Sequence, residues 1–333
     1  MKTLVFFNNK GGVGKTSLVY HLSWMYADLG LKVVAADFDP QANLTSMFLD
    51  EDRLETLWLH TSPKQSVLGA IQPLLKGTGD IAVPHIEDIA DNIGLLVGDL
   101  GLSSFEDELS AQWPACLDGK ERAFRVISAF YRLLVQAAKQ READVTLIDV
   151  GPNLGAINRA TIIAAEYIVI PLAPDLFSLQ GLRNLGPTLH DWRKGWSERL
   201  QKNPEESLEL PRDTMRPVGY VVLQHAMRLD RPVQAYGRWM AQIPGVYQKS
   251  VLNGQAQIAP DGVAADPHCL SLIKNYRSLM PMAMEARKPM FFLKPADGAI
   301  GAHGQAVQAC YRDFKKLALT VAEQCDIPIP LFV

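Results

Sequence analysis

Cysteine is scarce: Cys116, Cys269, Cys310 and Cys325 are the only four in 333 residues, and no two stand in CxxC spacing. This excludes a zinc ribbon, a thioredoxin-type pair and a local cluster-binding motif, and leaves reduced thiols in a cytosolic chain as the expectation. Excess charge of one sign is also lacking. Lys and Arg number 33 against 36 Asp and Glu, a formal net charge of -3, so binding to nucleic acid or anionic lipid must come from a local patch. No apolar run approaches the roughly 18 residues of a membrane span. The start, MKTLVFFNN, is too short for a signal peptide. The end, EQCDIPIPLFV, carries two prolines and no basic amphipathic face, which disfavours a membrane anchor. Internal repeats and low-complexity segments are absent as well. A cytoplasmic protein is expected.

What the chain does have is a series of short apolar runs: TLVFF (3–7), KVVAADF (32–38), IGLLVG (93–98), DVTLIDV (144–150), YIVIPL (167–172), VGYVVLQ (218–224) and PMFFL (289–293). They do not alternate with polar residues, so both faces of each are covered, as in a parallel sheet between helices. Leu18, Leu22, Met25 and Leu29 repeat at helical spacing, with Gly30 placed as a C-terminal cap. KERAFRVISAFYRLLVQAAKQREA reads as one long amphipathic helix, and a last helix is expected from about Ala306 to Gln324. Strand–helix–strand order predicts an α/β fold, a doubly wound and mostly parallel sheet with helices on both faces. Residues 1–333 are expected to form one domain, with surface insertions near 192–216 and 243–268.

After the first run comes Asn9-Lys10-Gly11-Gly12-Val13-Gly14-Lys15-Thr16-Ser17. Glycines let backbone N–H groups turn inward around anionic oxygens, a lysine supplies counter-charge and a hydroxyl serves Mg²⁺. Gly14, Lys15 and Thr16 fill these roles at the start of a helix, whose N-terminal amides add to the cradle. The strict pattern begins with glycine where this chain has Asn9, a residue that tolerates left-handed backbone angles. Lys10 is a second lysine that an ordinary phosphate loop does not need.

KGGVGKTS with Lys10 resembles the deviant Walker A motif of the ParA/MinD-type ATPases, which segregate plasmids and chromosomes or position other machinery. The resemblance implies ATP and Mg²⁺ as cofactors and an ATP-sandwich homodimer in which Lys10 reaches the nucleotide of the other subunit. An ammonium against phosphates in a water-poor interface is strongly favourable, so ATP would control assembly. DFDPQAN resembles the family's DxDPQ motif. Strand alternation puts Asp37 and Asp39 on one side at the sheet's C-terminal edge; by resemblance Asp39 orients the hydrolytic water and Asp37 supports the Mg²⁺ shell. Leu147-Ile148-Asp149 is a Walker B-like ending whose Asp149 should approach Mg²⁺ through water. Beyond it, the family's Asp-x-Pro-Pro is here Asp149-Val150-Gly151-Pro152-Asn153.

By the same resemblance, Gln224 would read adenine and backbone near Pro295 would line the base pocket. Arg228, Arg231, Lys274 and Arg277 are candidate contacts for nonspecific DNA. A partner protein of ParB type, or another cargo adaptor, would stimulate hydrolysis. Two other readings stand beside the partition switch: a relative that localises protein complexes or serves a defence operon, and an ATP-coupled enzyme of ligase or electron-transfer type. No cysteine lies between 117 and 268, which counts against a bridging iron–sulfur cluster.

Overall fold

The structure is a computed structural model that describes residues 1–62, 64–224, 233–254, 262–276 and 278–330, without the side chains of 224 and 233–236. Among the described residues the strands are β1 (Lys2–Phe6), β2 (Val33–Asp37), β3 (Glu87–Ala90), β4 (Ile93–Leu96), β5 (Val145–Asp149), β6 (Tyr167–Leu172), β7 (Arg216–Gln224) and β8 (Cys269–Lys274). They form one sheet in the order β3-β4-β2-β5-β1-β6-β7-β8. Every pairing is parallel except that of β3 with β4. The first helices are α1 (Lys15–Asp28), α2 (Asn43–Phe48), α3 (Glu51–Glu55), α4 (Val67–Leu75), α5 (Phe105–Ala115) and α6 (Glu121–Ile127). After them come α7 (Ala129–Arg141), α8 (Ala156–Ala164), α9 (Leu176–Leu200), α10 (Val233–Val246), α11 (Leu279–Ala286) and α12 (Ala302–Gln324).

The central strands are apolar throughout because each face meets its own core. Val34, Ala36, Ile148 and Ile168 pack toward α5, α7, α8 and α9, whereas Val33, Ala35, Leu147 and Val169 pack toward α1 and α12. Successive side chains thus feed two separate cores, the arrangement expected of a covered parallel sheet. Helix α1 ends as its sequence implies, with Gly30 at φ 85 just past the last turn.

Three expectations need correction. PMFFL is not a strand: Met290–Phe292 is a 3₁₀ turn. Its aromatic rings plug the space beside α1 and α12, with Phe291 against His21, Tyr311 and Phe314, and the sheet edge is taken by CLSLIK of β8. A short apolar run cannot by itself distinguish a buried strand from a buried plug. The helix expected as one piece breaks into α6 and α7 at the fully buried Ser128, whose Oγ accepts from Arg132. Segment 192–216 is not wholly surface, because α9 continues to Leu200 and Trp196 is fully buried, its indole N–H donating to the Pro211 carbonyl at 2.9 Å.

The aromatic plug also holds a buried histidine. His21 donates from Nδ1 to the Ser17 carbonyl (2.7 Å) and accepts the Met290 N–H at Nε2 (3.2 Å). Burial lowers its pKa from 6.5 to about 4, only partly opposed by the Ser17 bond. The folded value lies below the unfolded one, so the stability from neutral His21 is complete above pH ~6.5 and lost as pH falls toward ~4. By chemical denaturation, the stability difference between wild type and His21→Gln should shrink by about 2–3 kcal/mol between pH 7.5 and 4.5. A pH-independent difference would contradict the assignment.

Candidate functional site

Strands β1, β2 and β5 lie side by side, and their register sets Phe6, Asp149 and Asp37 in one row at the C-terminal edge of the sheet. The glycine loop leaves β1 at this edge. Asn8 fixes its start: the buried side chain donates to the Pro171 carbonyl (2.7 Å) and accepts the Lys10 N–H (3.0 Å). The loop closes through left-handed backbone at Gly12 (φ 71) and Gly14 (φ 82), which glycine alone adopts at little cost. Asn9 is not left-handed, contrary to the role expected of it. A side chain at Gly14 would meet Leu223 at 2.4 Å. No side chain caps α1, so its first-turn amides face the loop as free donors.

Lys15, only 6 % exposed, turns inward. Its Nζ makes one long contact among the described residues, with the Lys10 carbonyl at 3.5 Å. Burial lowers its pKa, while Asp149 and Asp39 hold the charge in place. Thr16 bears on Asp149 from the first turn of α1. Among the described residues, both Asp149 oxygens are buried without a hydrogen-bond partner at normal geometry. Burial, then the neighbouring charge of Asp37, raises the Asp149 pKa well above the usual carboxylate range. Asp37 is buried too and is pushed up to about 7, first by burial. Its oxygens are engaged: Oδ2 accepts the Thr45 N–H and hydroxyl, both at 2.8 Å, and Oδ1 accepts the Asp39 N–H at 3.2 Å. Asp37 thus braces the Asp39 backbone from behind, and Asp39 Oδ1 accepts the Gln41 N–H at 3.0 Å.

Lys10 turns the other way. It pairs with Asp175, the N-cap of α9, and its Nζ lies 5.8 Å from the ring centre of Phe177. Phe177 is 73 % exposed, and Leu176 and Leu154 are exposed as well. Neither Asp175 nor Phe177 stands out in the sequence, since only the return of the chain along β6 brings them to the loop.

Beside the loop lies a largely apolar cavity of about 270 Å³, lined by Gly14, Ser17, Leu223, Tyr276, Met290 and Phe314 among others. Lys274 lines it too, at the end of β8, and is exposed. Gln224 ends β7 next to Leu223. Pro295 opens a 3₁₀ turn and is not among the cavity's lining residues. Arg228, Arg231 and Arg277 lie outside the described residues.

Free amides, a buried ammonium, a hydroxyl and partnerless carboxylate oxygens fit a polyphosphate carrying a hard dication such as Mg²⁺. Asp149 and Thr16 are the oxygen donors that would hold the ion, and Lys15 with the loop amides would hold the phosphates.

Comparison with known proteins places the chain in a family and a fold. The sequence pattern of the family AAA_31, described as an AAA domain, matches residues 1–202. The chain is 30% identical to protein IncC of Escherichia coli over 194 residues, 58% of this chain and 47% of IncC. It is also 30% identical to the chromosome-partitioning ATPase Soj of Treponema pallidum over 199 residues, 60% of this chain and 68% of Soj. Among solved structures, protein DIP2308 of Corynebacterium diphtheriae shares the fold, with a TM-score of 0.70 at 24% identity over 98% of this chain and 99% of that one. The chain spans about half the length of IncC and of the other relatives first matched. The apolar cavity draws Leu223, Tyr276, Met290 and Phe314 from beyond the matched residues.

Proposed function

Because the chain belongs to the AAA_31 family of AAA domains and is a ParA/MinD-type deviant Walker A ATPase, we propose that it is an ATP-dependent dimerisation switch. It binds ATP with Mg²⁺ at the glycine loop and hydrolyses it to ADP and phosphate. Asp39 orients the attacking water, and Lys15 neutralises charge on the phosphates. The apolar cavity beside Gly14 takes the base. As an ATP-bound pair, the protein binds duplex DNA nonspecifically, and a partner protein of ParB type or another cargo adaptor stimulates hydrolysis. The names of the relatives support partition of DNA as the task; placement of a protein complex is the alternative.

One observation carries this reading: the two lysines of the loop diverge. Lys15 is buried toward Asp149 and Asp39, whereas Lys10 stands at the rim, 27 % exposed, beside the exposed ring of Phe177. A cation held out of its own phosphate cradle suits a role toward a second subunit's nucleotide. Light-scattering mass with no nucleotide, with ADP and with a non-hydrolysable ATP analogue plus Mg²⁺ tests it. A dimer should form with the analogue alone. Lys10→Ala should remain a monomer while its ATP affinity stays within about threefold of wild type. A wild-type chain that stays monomeric with the analogue overturns the switch. Added duplex DNA should bind the dimer with steep salt dependence and no sequence preference; a dimer that ignores DNA favours the placement of a protein complex.

A further inference from the structure

The loop between β5 and α8 runs Gly151-Pro152-Asn153, and two side chains hold it in shape. Asn158 in α8 is 1 % exposed. Its Nδ2 donates to the carbonyls of Gly151 (2.8 Å) and Asn153 (2.7 Å) and lies 3.1 Å from the Asn153 side-chain oxygen. All three partners are acceptors, so only an amide NH₂, not a carboxylate, suits this place. Asn153 in turn accepts the Gly155 N–H at 2.9 Å. From outside the loop, Glu106 in the first turn of α5 caps α8: Oε1 accepts the Ala156 N–H, and Oε2 accepts the Ile157 N–H at 2.9 Å. A carboxylate at a helix N-terminus is favoured by both hydrogen bonding and the helix dipole. Gly155 leaves room for it, since a Cβ there would stand 2.6 Å from Glu106 Oε1.

The inner side of the loop abuts the reacting groups. A Cβ at Gly151 would lie 3.2 Å from Asp39 Oδ1, and Pro152 sits 3.8 Å from the corresponding point at Gly11. Residues 151–155 therefore bridge α5 and α8 to Asp39 and the phosphate loop.

We propose that Glu106 and Asn158 are positioning residues for hydrolysis: together they clamp residues 151–155 against Asp39. The inference rests on the reading of the chain as an ATP-hydrolysing switch. Neither side chain contacts the phosphate loop in the hydrogen bonds above, so loosening the clamp displaces the wall behind Asp39 and leaves ATP binding nearly intact.

The test combines three measurements on the full chain: single-turnover hydrolysis at saturating ATP and Mg²⁺, affinity for a fluorescent ATP analogue, and backbone amide exchange of residues 151–157 without nucleotide. Asn158→Asp and Glu106→Ala should slow hydrolysis on the order of 10- to 100-fold, with affinity within about threefold. Glu106→Gln keeps one acceptor for α8 but turns its NH₂ against the second N–H, and should recover the rate only in part. Gly155→Ala, at a backbone angle alanine adopts freely, should reproduce the Glu106→Ala defect by displacing the carboxylate, and it serves if a buried Asn158 variant does not fold. Amide exchange should speed up about tenfold in each slow variant. Unchanged hydrolysis and exchange in folded variants overturns the clamp, as does a loss of affinity equal to the loss of rate. Wild type and Asp39→Ala serve as references. If wild type turns over no ATP, the hydrolytic reading fails, and unchanged exchange in the variants overturns the clamp independently.

Discussion

Lys15→Ala should weaken ATP binding by at least about 100-fold, about 3 kcal/mol. The ammonium is already withdrawn from water beside Asp149 and Asp39, so much of the desolvation that opposes ion pairing has been met by the fold itself. Its charge then meets phosphate oxygens in a setting where water screens poorly. Removing it also leaves the buried carboxylates as the dominant local charge, which repels a polyphosphate. Calorimetric titration measures the loss. Retention of affinity within about fivefold of wild type would show that phosphates are bound elsewhere. The contrast with Lys10→Ala matters: the two lysines are near neighbours in sequence, yet only Lys15 faces the cradle.

Asp149→Asn should have opposite effects on the nucleotide-free and the Mg·ATP-bound protein. Asp149 and Asp37 face each other across β5 and β2, both fully buried, and the Asp149 oxygens have no donor at normal geometry. The Asp149 pKa is raised by burial and by Asp37. A carboxyl whose folded pKa exceeds its unfolded value contributes stability at low pH, and that contribution disappears as pH rises toward and through the folded value. Near pH 8 the neutral amide should thus stabilise the nucleotide-free protein by about 1–3 kcal/mol. The gain should fade as pH falls, because the wild-type carboxyl also becomes neutral. In the same variant, the extra thermal stabilisation that Mg²⁺ adds to ATP should disappear, since the ion loses its charged ligand. Thermal melts at pH 8 and pH 5, with ATP plus Mg²⁺ or plus a chelator, separate these effects. If the nucleotide-free Asp149→Asn variant melts below wild type at pH 8, the account of a site strained by buried like charges at Asp149 and Asp37 is refuted.

Legibility in the sequence followed the range of the interactions. The strand–loop–helix around Gly14, Lys15 and Thr16 could be read because glycine conformation, strand ending and helix start are all local. Asp37, Asp39 and Asp149 could be read because strand alternation fixes a side and the parallel sheet fixes an edge. PMFFL misled because its burial comes from α1 and α12, far away in sequence, and not from neighbouring strands. CLSLIK escaped notice for the converse reason: an edge strand is covered on fewer sides and carries Ser271 and Lys274 among its apolar residues. Asn9 was assigned a backbone role that Gly12 and Gly14 fill, while the adjacent Asn8 ties the loop to β6 through its side chain.

By itself, then, the sequence determined the glycine loop, the apolar strands that carry it and the acidic residues at their ends, since each depends on backbone conformation or on side-chain period within a few residues. Only the tertiary structure decided what those groups meet. It set Lys10 on Asp175, engaged Asp37 with Thr45 while leaving the Asp149 oxygens without a partner at normal geometry, built the apolar cavity from β7, β8 and α12, and brought Glu106 to the start of α8. Apart from Asp37 with Thr45, eight residues on, those contacts join segments from tens to hundreds of residues apart, and the order in which parallel strands add to a sheet is fixed by the packing of two cores, not by any local pattern.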